Sequence, residues 1–197
     1  MPEIKMKLSD AIFLGFLPKK ITLCPEWLKV PHIKQICSVS QCVSPRPPNM
    51  FETEEWNYNR AGLYNDFKSA FDAIPPGEKD KYEIFVYKVY SIQIDKDGIH
   101  EIDVLKHIPG LPEEINPEPD LTGFHRIGYD IVEGIRNLSF GCSPLSCNSL
   151  AGRFKVNEFC LIDDLHYAIE AGVTIAASCA GEPPPYYPFE VYRKTYK

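Results

Sequence analysis

The chain contains no run near the roughly 18 apolar residues that cross a bilayer as a helix. Its best apolar stretch, residues 11–17, follows Asp10 and lacks a small-residue cleavage site, so it reads as a strand and not as a signal or anchor. No membrane partner is therefore expected, and the setting expected for the protein is cytoplasmic and reducing. Basic runs are equally scarce. Net charge is −6, and the longest basic clusters are the pairs Lys19-Lys20 and Arg193-Lys194. A phosphate-backbone binder normally carries a basic surplus or stripe, so nucleic acid is not a favoured partner. G-x-G-x-x-G, Walker A, H-E-x-x-H and G-x-S-x-G are all missing, which leaves the common nucleotide-binding and hydrolase folds without support.

What is present describes a globular α+β protein. Of 197 residues, 44% are hydrophobic and 24% charged, which excludes a disordered chain and suits one domain or two small halves sharing a core. Residues 12–17 and 20–23 suggest two short strands parted by Pro18. Leu63, Phe67, Ala70, Phe71 and Ile74 recur at helical spacing and end at Pro75-Pro76-Gly77. Residues 82–94 are rich in aromatic and β-branched side chains, as a central strand is, and Asp97-Gly98 marks a hairpin turn with residues 99–108 returning. Residues 124–132 read as a strand. Asp163 or Asp164 caps a second helix with Leu165, Ala168, Ile169, Gly172, Ile175, Ala176 and Cys179 on one face. Residues 187–196 form a last strand.

The two halves resemble one another at an offset of 105 residues: Cys37 falls on Cys142, Cys42 on Cys147, Ser38 on Ser143, Tyr82 on Tyr187, and Val86-Tyr87-Lys88 on Val191-Tyr192-Arg193. One register serves a cysteine loop, a helix and a strand. The expectation is a single domain over residues 1–197, with pseudo-repeat halves 1–108 and 121–197 joined by the Pro- and Glu-rich linker 109–120. Each half is a cysteine loop, helix and strand, and two copies build one layered core with a mixed or antiparallel sheet under the helices.

Both loops follow C-S-x-x-x-C, Cys37 to Cys42 and Cys142 to Cys147. They admit three readings. Four thiols in two close pairs suit zinc, with Cys37, Cys42, Cys142 and Cys147 as ligands, although C-x4-C lies at the long edge of the usual spacing. A reactive thiol at Cys142 or Cys147, served by His125 or His166 and by Asn148 or Asp130, describes a cysteine-dependent enzyme or redox protein. In the simplest reading, cysteine packs as a small apolar group, serine bonds local backbone and the loops are rigid corners. An odd total of seven cysteines argues against a complete disulfide framework.

Cys142-Ser143-Pro144-Leu145-Ser146-Cys147-Asn148, preceded by Gly128-Tyr129-Asp130, resembles a family of uncharacterised bacterial proteins over the last third of the chain, from Phe124 onward. The resemblance implies no activity and no cofactor.

Other residues have ordinary explanations. His32, His100 and His107 lack ligand spacing, and His166 lies off the apolar face of its helix. Residues 54–60 mix aromatic and polar groups in a way that suits a binding surface. The leading expectation is a non-catalytic binding or protein-interaction module, using a cleft or aromatic surface between its halves, with a protein or small-molecule partner left open. A cysteine-dependent enzyme or redox protein is the alternative, and a zinc-stabilised module the second.

Overall fold

The computed structural model of the protein describes residues 11–47, 62–107, 119–136, 139–178 and 180–194. The expectations placed on the linker 109–120 and on residues 54–60, Cys179 and Tyr196 fall wholly or largely outside these residues. Among these residues eight strands and three α-helices follow in order: β1 (Ile12–Lys20), α1 (Phe67–Asp72), β2 (Tyr82–Val89), β3 (Ile92–Asp95), β4 (Gly98–Glu101), α2 (Val104–His107), β5 (His125–Glu133), β6 (Ile135–Arg136), β7 (Ser139–Phe140), α3 (Leu165–Ser178) and β8 (Tyr186–Lys194). Six strands form one sheet in the order β1-β2-β8-β3-β4, with β5 also on β8; every ladder is antiparallel. The α+β class stands, and of the two sheet types expected the antiparallel one is found.

Alternation along the strands sorts the side chains between two faces. Cross-strand register puts Phe16, Val86, Tyr192, Glu190 and Tyr129 on one face. Both longer helices cover that face. Phe67 of α1 meets the Phe16 ring edge-on at 6.3 Å between centroids. On α3, Gly172 comes so close to the sheet that a Cβ there would stand 2.8 Å from Ile94 Cδ1 and 3.4 Å from Ile131 Cδ1. The small residues of that helical face thus set how near the helix lies, as large-against-small packing requires. Leu17, Lys19, Phe85, Phe189 and Asp130 point to the opposite face, where the two cysteine loops lie.

Some boundaries differ from the sequence expectation. β1 is one strand that runs through Pro18. Phe16 N donates outward to Tyr64 O, and Lys20 N to Pro45 O. By alternation the N–H missing at Pro18 belongs to that outward row and not to the ladder with β2, so the proline breaks nothing there. The first helix is shorter than its periodic pattern: Leu63 and Tyr64 are extended, because Tyr64 and Phe16 exchange two backbone hydrogen bonds of 2.8 Å. Asp66 then caps α1 by accepting from Ser69 N at 2.8 Å. The expected long central strand breaks at Tyr90-Ser91 into β2 and β3, and the strand returning from Asp97-Gly98 ends at Glu101.

Three features occur once within residues 1–108 and once within residues 121–197. The β1 register shifts between Phe13 and Gly15, and the β5 register between Arg126 and Gly128; both glycines have positive φ, 145° and 141°. The residue after each, Phe16 or Tyr129, bridges to the segment just before a helix, at Tyr64 or Ile162. An aspartate two residues further on, Asp66 or Asp164, caps that helix.

Candidate functional site

The site begins with two charges that the sheet carries into the layer beneath the loops. Lys19, near the end of β1, is fully buried. A bare ammonium there is costly, and the loop answers it with carbonyls: Nζ donates to Ser38 O at 2.6 Å, Ser40 O at 2.6 Å and Val39 O at 3.4 Å. Burial still pulls the Lys19 ammonium down to about 7, against the attraction of Asp130, Cys37, Cys147 and Cys42. Asp130, on β5, is the second buried charge. Its carboxylate accepts from Ser38 Oγ at 2.7 Å, Val39 N at 2.9 Å, Ser143 Oγ at 2.6 Å and Ile131 N at 2.9 Å. Burial raises the Asp130 pKa, and those four donors oppose the rise. Ser38 and Ser143, equivalent in the two C-S-x-x-x-C loops, thus share one carboxylate.

Above this floor three thiols converge. The Sγ atoms of Cys42, Cys142 and Cys147 all lie within 4.8 Å of one another, and Cys42 and Cys142 are 3.4 Å apart. Local hydrogen bonds fix the backbones that carry them. Ser40 N donates to Ser38 Oγ at 3.0 Å, Cys42 N to Ser40 Oγ at 3.3 Å, and Cys147 N to Ser143 O at 2.7 Å. The Ser40 hydroxyl also lies 3.3 Å from Cys147 Sγ. The C-S-x-x-x-C spacing therefore lets the serine after the first cysteine bond inward while the last cysteine of each loop turns toward the other loop.

The thiols are not equivalent. Cys42 is exposed, and Cys142 and Cys147 are half-buried. Burial opposes a Cys42 thiolate, but bonds from Ser40, Cys142 and Cys147 and the charge of Lys19 outweigh it and hold this thiol below its ordinary value. Burial raises Cys142, reinforced by its neighbours Cys42 and Cys147. Burial also raises Cys147, despite the Ser40 contact. The group therefore favours a thiolate at the solvent edge, with the more reluctant thiols behind it.

Of the four cysteines considered for zinc, three meet and Cys37 does not join them. Cys37 is buried beside Arg193, and burial pushes its thiol up to about 12. The residues considered for catalysis also separate. His125 is exposed at the start of β5, opposite Arg193 of β8, and His166 is exposed on α3. No histidine or carboxylate joins the thiol group among the described residues. Asn148, next to Cys147, has a buried Oδ1 without a hydrogen-bond partner. The donors to Asp130 are two serines and two backbone amides, so that carboxylate organises loops and orients no imidazole. The sequence gives no sign of Lys19 as a site residue: the strand before it is apolar on both faces, so no alternation marks the lysine as inward-facing.

Comparison with protein-family models, curated proteins and solved structures finds no match.

Proposed function

We propose that the protein is a binding module whose ligand is a single thiophilic metal ion, held by Cys42, Cys142 and Cys147 where the two cysteine loops meet. The observation that carries this reading is the mutual approach of three Sγ atoms within 4.8 Å. Thiolates bound to zinc stand about 2.3 Å from the ion, which places three sulfurs of one tetrahedral site at about 3.8 Å from each other. Thiolates select zinc and monovalent copper over harder cations. Lys19 beneath the loops offsets part of the negative charge that three thiolates bring.

Three protein ligands leave a coordination position for an exogenous group, and exposed Cys42 puts that position near solvent. Closed four-ligand sites serve structure, whereas an open one can exchange its ion or bind a further ligand. The sequence-level idea of a zinc-stabilised module thus narrows to three ligands, with Cys37 outside the set. The cleft expected between the halves becomes a junction occupied by an ion. In this reading the halves are a pseudo-duplicated unit; the paired glycine bulges, helix-capping aspartates and serine contacts to Asp130 support it.

The test is titration of reduced, metal-free protein with Cd²⁺, followed by thiolate-to-metal charge-transfer absorption. One equivalent should saturate the band. Cys42→Ser, Cys142→Ser and Cys147→Ser should each abolish or strongly weaken it, whereas Cys37→Ser and Cys24→Ser leave it intact. No band, or a band equally lost in Cys37→Ser, sinks the proposal.

A further inference from the structure

The three thiols are not arranged as an even triangle of equals. Cys42 and Cys142 have their sulfurs 3.4 Å apart, and Cys42 is the exposed member. They come from separate loops, 100 residues apart in the chain, so a bond between them would staple the two cysteine loops. Cys147 sits further in, with its sulfur against the Ser40 hydroxyl at 3.3 Å and Ser146 Oγ at 3.8 Å. A disulfide needs the sulfurs at about 2.05 Å, so the pair must close by a little over 1 Å, within reach of a side-chain rotation.

We infer that Cys42 and Cys142 form a reversible disulfide with a low-molecular-weight disulfide as oxidant, and that this bond evicts the metal ion. Cys42 Sγ, as thiolate, attacks one sulfur of the oxidant. The oxidant S–S bond breaks and its other sulfur leaves as a thiolate that takes up a proton. Cys142 Sγ then gives up its proton and attacks Cys42 Sγ, releasing the second half of the oxidant as a thiol. The protein dithiol loses two electrons and two hydrogens, and the external disulfide becomes two thiols. Cys147 takes no part in the exchange. Eviction follows because the bond consumes two of three metal ligands; that consequence rests on the metal-binding reading above, while the disulfide itself does not.

The experiment equilibrates metal-free protein in buffers of oxidised and reduced glutathione, quenches with acid, alkylates, and maps the cysteines by mass spectrometry. The expected product has lost two hydrogens, carries a Cys42–Cys142 cross-link and keeps Cys147 alkylatable. In the same buffers Cys147→Ala should still form the Cys42–Cys142 cross-link at equilibrium while lacking the Cd²⁺ band. Oxidised parent protein should lose that band and regain it on reduction. A cross-link through Cys147, or a glutathione adduct at Cys42 that never resolves, overturns the inference. If the cross-link forms but reduced protein shows no Cd²⁺ band, the thiol pair stands, and the metal reading and eviction fall.

Discussion

Tyr87 and Lys19 present opposite solutions to a buried polar group. Both are fully buried, yet Lys19 has three carbonyl acceptors and Tyr87 Oη has no hydrogen-bond partner among the described residues. An unpaired buried hydroxyl forfeits its hydration, so Tyr87→Phe should raise unfolding stability by about 1 kcal/mol in denaturant melts. A loss of stability would show that the hydroxyl is satisfied. Lys19→Met should cost about 3 kcal/mol, because three loop carbonyls lose their donor and Asp130 loses a nearby cation. Lys19 also sets a pH dependence. Its folded pKa of about 7 lies below its unfolded value, so above about pH 7 the unfolded chain holds a proton that the folded chain has released, and stability rises with pH. Burial of Cys37 acts in the other direction. Its folded pKa, pushed up to about 12, lies above the unfolded value of about 8.5. Stability from that thiol is full below about 8.5 and is lost as pH climbs toward 12. Burial raises Cys142, Cys147 and Cys160 in the same direction as Cys37, so above about 8.5 the falling limb outweighs the rising one. Denaturant melts of metal-free protein should therefore peak near pH 8 to 9, and in Lys19→Met the rising limb should vanish while the falling one remains. None of this balance was legible beforehand: a lysine is placed inside by three carbonyls some twenty residues away, and local pattern carries no trace of them.

Local pattern did capture the elements. The second helix was readable because its capping aspartate, its apolar face and the following Gly181 and Pro183 all agree, and α3 spans Leu165–Ser178 with Ala168, Ile169, Gly172, Ile175 and Ala176 buried. The first helix misled because apolar periodicity continued past the point where tertiary pairing takes over, Leu63 and Tyr64 being drawn to the edge of β1. Pro18 misled because a proline marks a break only where its N–H is needed. Gly128 is the element-scale feature most open to test. At φ +141° an added Cβ would lie 2.8 Å from Leu161 Cβ and 2.9 Å from Ile162 O, against backbone that also bridges to Tyr129. Backbone strain and the clash together should make Gly128→Ala lose about 3 kcal/mol. Gly77→Ala has the same sign of φ with nothing within 4 Å, so it should lose only the strain, about 1 kcal/mol. Equal losses in thermal or denaturant melts would show that close packing at the β5 bulge contributes nothing.

For the whole molecule, the recurring C-S-x-x-x-C loops were visible in sequence, but their convergence was not. Identical spacing gave Cys37 and Cys142 the same rank, yet Cys37 is packed beside Arg193 while Cys142 stands 3.4 Å from Cys42. The difference arises from neighbours outside each loop: Cys37 N donates to Phe159 O, whereas Cys142 O accepts from Glu133 N at the end of β5. If an ion joins the loops, metal binding must stabilise the fold by mass action, so the melting temperature of reduced protein should rise with added Zn²⁺ and fall back with chelator. Cys147→Ala should melt at the same temperature with and without the ion.

X-ray absorption at the zinc edge of the reduced, loaded protein addresses the three-thiol centre most directly. The account predicts three sulfur scatterers at about 2.3 Å and one lighter atom at about 2.0 Å. Four sulfurs, or a shell of nitrogen and oxygen alone, would contradict it.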